Sequence, residues 1–212
     1  VSIGKSHALQ FEKEVKNGRF KSVEDAIVAE FASVPKNTKS LVYIDASSKT
    51  MVSATKGIKA KVKAIDKTKI KKYVVYPNST DFTYGDTTFH FNHPEPRDIA
   101  FNLLVLQDLM KYLKLPFEAD FSNIRMAPGR CSYFEGKNGL QIVDSSYNAH
   151  LISVASILDM AKRMHAEHKW LVIGDIVDQG EITKEEHEKL AGLIADVKPE
   201  KVILVGKRTK KY

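Results

Sequence analysis

An α/β fold in two unlike halves is what this sequence predicts, and three observations carry the prediction. The second half alternates short apolar runs with amphipathic helical runs in the order strand, helix, strand, helix, strand. The first half is less regular, mixing helical stretches with strand-like runs and a hairpin pattern. Between them lies "APGRCSYFEGKNG", rich in turn-forming glycine with one proline, which reads as a linker or hinge. The expected division is therefore 1–126, a linker over 127–139, and 140–212.

Taken in order, "VSIGKSH" reads as a strand ending in a Gly-containing turn, and "SVEDAIVAEFASV" as a helix with Ser22 as N-cap. The runs "KSLVYIDA" and "KKYVVYP" have strand character, and "FTYGDTTFHF" alternates around Gly85 and Asp86 like a hairpin. A long helix is expected over "PRDIAFNLLVLQDLMKYLKL". Past the linker, "LQIVDS" is a strand, and "LISVASILDMAKRM" places Leu151, Val154, Ala155, Leu158 and Ala161 on one helical face. The nearly all-apolar "KWLVIGD" and "EKVILVG" read as parallel strands covered on both faces. The helix between them, "TKEEHEKLAGLIADV", starts at Thr183 with Glu186 three residues on, a capping-box pattern.

With 212 residues and 43% hydrophobic content, the chain is long enough for one large domain or two modest ones. No apolar run reaches membrane-spanning length, and no signal peptide is recognisable at the first residues. One cysteine, Cys131, excludes a disulfide framework and an all-cysteine zinc site. A cytoplasmic location is the expectation. The net charge of +7 is concentrated in residues 36–72, where eleven lysines face only Asp45 and Asp66. Such a run can bind phosphate backbones. No aromatic stacking pattern accompanies it, so a solvated face is preferred and nucleic acid ranks last among partners.

In parallel α/β sheets, ligands sit outside the carboxyl ends of the strands. Asp144, Asp175 and Gly206 each follow a strand and so are expected on one rim. The cluster "VDSSYNAH", Val143 to His150, crowds small polar groups, a tyrosine and a histidine at one strand-to-helix handover.

Several motifs then fall into a known order: "SIGKSH" (Ser2 to His7), the helix from Arg97 to Leu113, "PGR" (Pro128 to Arg130), "VDSSYNAH", and "GDIVDQGEITKEEH" with Gly174, Asp175, Asp178, Gly180, Glu181 and His187. The series resembles the Mur ligases, most of all the branch that adds D-alanyl-D-alanine to a UDP-muramoyl-tripeptide. It implies the later part of an ATPase domain, 1–126, followed by a partial Rossmann-like parallel-sheet domain, 140–212. The sequence also departs from that pattern. Gly-x-x-x-x-Gly-Lys-Ser/Thr is absent, and the apolar Val28 stands where the family carries a carbamylated lysine. Ser145 replaces the second Asp of the loop, and His150-Leu151 replaces Asn-Pro, weakening the helix-start signal.

The reaction implied by the resemblance is ATP-dependent amide formation in peptidoglycan precursor synthesis. A carboxylate is activated as an acyl phosphate and then attacked by an amine. ATP and Mg2+ are the implied cofactors; a UDP-muramoyl-peptide and D-alanyl-D-alanine are the implied substrates. His7 is implied to help hold magnesium, or is a turn histidine bonded to backbone. Arg130 is implied to fork onto phosphate oxygens; the plain alternative is a surface arginine capping a turn. Asp144 and Tyr147 are implied nucleotide contacts, against a role in organising their own loop. Asn102 is implied to face the adenine. Asn148, His150 and Asp175 are pocket candidates, and for each a structural role is also open. His187, on an amphipathic helix, reads as packed, and His165 and His168 as exposed. Because the phosphate-cradling loop is missing, this stretch alone is expected to be inactive. Two alternatives stay open: a non-catalytic homologue that binds a nucleotide or a partner, and a folylpolyglutamate-synthase-like ligase.

Overall fold

A computed structural model describes residues 8–147, 149–176 and 183–212. His7, Asn148, Asp178, Gly180 and Glu181 lie outside the described residues, as does the strand expected at "VSIGKSH". The described chain falls into two compact units, 8–69 with 101–115, and 70–100 with 116–176 and 183–212. Each is taken by itself.

In the first unit, α1 (Ala8–Lys16) packs on α2 (Val23–Asn37) through Phe11, Ala26 and Ile27, with Phe20 and Val23 closing the cluster. Helix α2 starts where expected: the Ser22 hydroxyl accepts the Asp25 N–H at 3.1 Å, satisfying one of the free first-turn donors. Strand β1 (Leu41–Asp45) pairs in parallel with β2 (Lys61–Ile65), with α3 (Lys49–Ala54) as the crossover. Strand β2 sits inside the lysine run, where alternating lysines obscured it from the sequence reading. Two of those lysines are held by carboxylates, Lys63 by Asp108 and Lys67 by Asp45. Lys61, on β2, is exposed, as charges on an edge strand commonly are, and so is Lys59 in the bend before it. Most of α4 (Ala100–Leu113) belongs here and buries Leu103 and Leu104; the expected long helix begins as a 3-10 turn over Arg97–Ile99.

In the second unit, β3 (Lys72–Tyr76), β4 (Ser79–Tyr84) and β5 (Thr87–Phe91) form an antiparallel meander. Gly85, at φ +58°, makes the β4–β5 turn that the sequence suggested. Tyr73, Phe82 and Phe89 are successive cross-strand partners, and Tyr73 stacks on Phe82 at 5.0 Å, so aromatic pairing sets the register. Strand β6 (Ser132–Glu135) occupies part of the stretch read as a linker and pairs antiparallel with β7 (Gln141–Asp144). Helix α5 (Leu151–Arg163), β8 (Trp170–Gly174), α6 (Thr183–Val197), β9 (Lys201–Val205) and α7 (Lys207–Lys211) follow.

Two expectations are corrected here. Of the three strands expected in one parallel sheet, only β8 and β9 pair in parallel, while β7 belongs to the β6 hairpin. The hairpin closes locally, with the Gly136 N–H donating to the Leu140 carbonyl at 2.7 Å, and a short loop costs little entropy. Nor are β8 and β9 covered on both faces. Leu171 and Ile173 pack against Leu158, Ile176, Leu190 and Val197, where α5 and α6 meet the sheet. Trp170 and Val172 point the other way and are exposed, as is all of β9.

A further core cluster matters for the site. Val75, Cys131 and Met160 are buried together, with Tyr73, Val143, Ile157 and Met164 around them. It ties β3, the start of β6, β7 and α5 into one block. The His165 N–H donates to the Val75 carbonyl at 2.9 Å and its ring stacks on Tyr76 at 4.9 Å, anchoring the end of α5 on β3.

Candidate functional site

The turn carrying Arg130 is built from its neighbours. Gly129 is buried with φ +73°, a conformation that glycine adopts without strain. A Cβ there would lie 2.9 Å from both the backbone nitrogen and the Cβ of Tyr147, so the close approach of the two segments also requires glycine. The Gly129 carbonyl accepts the Tyr147 N–H at 3.1 Å. On the other side, Cys131 is 5% exposed and takes φ +54°. Arg130 is exposed between two buried residues, so its backbone is fixed while its side chain is presented to solvent.

The end of β7 meets this turn. Ser132 and Asp144 are register partners in the β6–β7 hairpin. The Ser132 hydroxyl accepts the Gly129 N–H at 3.0 Å and donates to the Asp144 carbonyl at 3.4 Å. One Asp144 carboxylate oxygen accepts the Ser146 N–H at 2.9 Å, turning the chain outward in an Asx turn. Tyr147 follows, 67% exposed, and the Arg130 guanidinium lies over its ring at 4.3 Å from the centroid. That is cation–π geometry. The structure thus brings together three of the sequence-predicted residues: Arg130, Asp144 and Tyr147.

His150 sits at the N-cap of α5, and its own backbone, with Ser153, makes the cap. The Ser153 hydroxyl donates to the His150 carbonyl at 2.8 Å and accepts the His150 N–H at 3.1 Å. Ser153 therefore compensates for the missing Asn-Pro at this helix start.

Asp175 has a different task. Its carboxylate accepts the backbone N–H groups of Lys207, Arg208 and Thr209, at 3.1, 3.1 and 2.8 Å, and the Thr209 hydroxyl at 2.9 Å. It caps the first turn of α7, and those donors hold its pKa down to about 2. Gly206 is needed beside it: at φ +122°, a Cβ would lie 2.2 Å from the carboxylate. The expected meeting of Asp175 and Gly206 is found.

The remaining histidines do structural work. His187 is 2% exposed; its Nδ1 donates to the Thr183 carbonyl at 2.7 Å and its ring faces Tyr212 at 5.8 Å. His168 pairs with Glu200 at the surface. Asn102 is exposed in the first turn of α4, in the other unit. Sequence reasoning missed Ser132 and Cys131. The cysteine's burial, with the negative charge of Glu95 nearby, pushes its thiol up to about 11, so it stays protonated and unreactive. The signal for Ser132 was faint: one small hydroxyl three residues beyond a glycine.

An exposed guanidinium suits an anionic ligand, and the tyrosine and carboxylate beside it suit a nucleoside. Among the described residues, no three His, Cys, Asp or Glu side chains converge to hold a metal ion. Likewise among the described residues, no helix is long and apolar enough to cross a membrane.

Comparison with known proteins finds the same family that the motifs resemble. Residues 129–211 match the family described as Mur ligase, glutamate ligase domain. A curated relative, the UDP-N-acetylmuramoyl-tripeptide--D-alanyl-D-alanine ligase of Rickettsia prowazekii (strain Madrid E), is 31% identical over 119 residues, 54% of this chain and 26% of the relative. Among solved structures, the MurF ligase from Thermotoga maritima in complex with ADP is similar with a TM-score of 0.67 at 20% identity, covering 88% of this chain and 49% of that one. MurF from Acinetobacter baumannii is similar with a TM-score of 0.70 at 16% identity, covering 90% of this chain and 44% of that one. The fold over these residues is that of the MurF ligases. The chain spans about a quarter of the curated relative's length and under half of the solved chains' lengths.

Proposed function

We propose, from this likeness to the Mur ligases, that the chain carries a nucleotide-gripping part of an ATP-dependent amide ligase of peptidoglycan precursor synthesis. The observation that carries the reading is the exposed Arg130 guanidinium, stacked on Tyr147 beside Asp144 at the end of β7. The names of the relatives support the substrates: a UDP-muramoyl-peptide, D-alanyl-D-alanine, and an adenine nucleotide. The division into an ATPase-type part, 1–126, and a ligase-type part, 140–212, belongs to the same proposal.

In this reaction a substrate carboxylate oxygen attacks the γ-phosphorus of ATP. The bond to the bridging oxygen breaks, ADP leaves, and an acyl phosphate remains. An amine then attacks the acyl carbon, phosphate departs, and the nitrogen loses a proton. Most of the catalysis is positioning and charge neutralisation. Arg130 supplies forked N–H donors to phosphate oxygens as charge shifts between them. Asp144 orients the nucleoside by accepting from a ribose hydroxyl with its outer oxygen. Asn148 and His150 are candidates for the nucleotide or acceptor pocket, and Asn102 is a separate candidate for contact with an adenine. Asp175 enters only as the support of α7, because its carboxylate is already bonded. Magnesium would screen the phosphates, and His7 is the residue proposed to help hold it.

ADP binding tests the reading. Calorimetric titration of the chain and of Arg130→Ala should show affinity falling about tenfold or more, the scale of one charge-assisted hydrogen-bonded contact. Equal affinities would remove Arg130 from the site and the reading with it.

A further inference from the structure

We infer that the Ser132 hydroxyl is a positioning group that holds Arg130 in register with Tyr147. The stack joins two segments that are distant in sequence, the turn at Gly129 and the loop after Asp144, and each must be held for the guanidinium to lie over the ring. Ser132 is 7% exposed and its oxygen touches both segments, accepting from the Gly129 N–H and donating to the Asp144 carbonyl. Gly129, the residue before Arg130, is thereby held on both sides, its N–H by Ser132 and its carbonyl by the Tyr147 N–H. Arg130 itself is tied back by its N–H to the Ala127 carbonyl at 3.1 Å. A buried hydroxyl that both donates and accepts fixes geometry more tightly than the apolar contact that would replace it.

One consequence concerns Tyr147. The guanidinium already lies against its ring, so that face of the ring serves to aim Arg130, and a base can stack only on the opposite face. The tyrosine is thus a positioning residue for the arginine whatever else it contacts.

The inference rests on the nucleotide reading only for its second readout. The first is the ring-current shift of the Arg130 side-chain protons in the NMR spectrum of the full chain. Tyr147→Leu defines the unstacked value. Ser132→Ala should move the Arg130 signals most of the way to that value, and Ser132→Thr, which keeps the hydroxyl, should restore them. Retention of the full shift in Ser132→Ala overturns the inference, and so does its loss in both serine variants. The second readout is ADP affinity, expected to fall about threefold to tenfold in Ser132→Ala and to recover in Ser132→Thr. If the unaltered chain binds no ADP, the nucleotide reading fails, while the proton shifts still decide the role of Ser132.

Discussion

Strands β7 and β8 each lead into an aspartate, Asp144 and Asp175, and the two carboxylates are used in opposite ways. Asp144 makes a short local bond, to the N–H two residues on, and its loop then presents Tyr147 under Arg130. Asp175 reaches 32 to 34 residues along the chain and spends its oxygens on the first turn of α7. Asp45 at the end of β1 behaves like Asp144, turning onto Ser47 at 2.9 Å, but it meets Lys67 where Asp144 has Arg130 and Tyr147 nearby. An acid at the end of a strand is therefore a device for shaping the next turn. What makes one such place a candidate site is the second segment that arrives beside it carrying an exposed cation and ring.

The sharpest way to break the contrast is Gly206→Val. The side chain would collide with the Asp175 carboxylate from a backbone at φ +122°, so α7 should detach, with a loss of about 3 kcal/mol or more in urea unfolding. A melt matching the unaltered chain would mean that the Asp175 cap is not what holds α7. Asp175→Asn should be milder, about 1–2 kcal/mol, as for a lost helix cap. Its pH dependence has a definite sign. Because folding lowers the Asp175 pKa from 3.8 to about 2, the stabilisation is fully present above pH 4 and drains away as the pH falls toward 2. The urea midpoint of the unaltered chain should drop across that window more than that of Asp175→Asn. Parallel curves would show the carboxylate to be unbonded in solution.

At the other strand end, Asp144→Asn should cost under about 1 kcal/mol of stability, since only one local N–H is involved. It should weaken ADP binding about tenfold. Loss of stability without loss of affinity would make Asp144 like Asp175, a structural acid. The smallest effect is expected for Lys59→Gln with Lys61→Gln, both exposed: within about 0.5 kcal/mol of the original stability and no change in ADP affinity. A marked fall in affinity would move the site toward the lysine-rich strand.

Much of this organisation was legible before any coordinates. Ser22 announced α2, Gly85 the β4–β5 hairpin, and the apolar spacing from Leu151 to Ala161 the helix α5, because each signal acts within one turn or one strand pair. The cluster from Val143 to His150 was visible as chemistry out of place in an apolar run. Strand β2 was hidden because lysines on an edge carry no burial pattern. Strand β6 was hidden because its neighbours Gly129, Gly136 and Gly139 read as a linker. Ser132 was invisible for a different reason: its partners are three and twelve residues away, and a lone serine does not say which carbonyl it will find.

By itself, then, the sequence determined most of the helices and strands, the Ser22 cap, the family motifs and the positions where polar groups interrupt apolar runs. These depend on contacts between near neighbours and on residue chemistry, which the order of residues states directly. Only the tertiary structure decided that β7 turns back on β6 rather than joining β8, that Asp175 serves α7, and that Arg130 lies on Tyr147. Those outcomes are set by which distant groups come within hydrogen-bonding reach once the core around Val75, Cys131 and Met160 has closed, and that competition is settled in space.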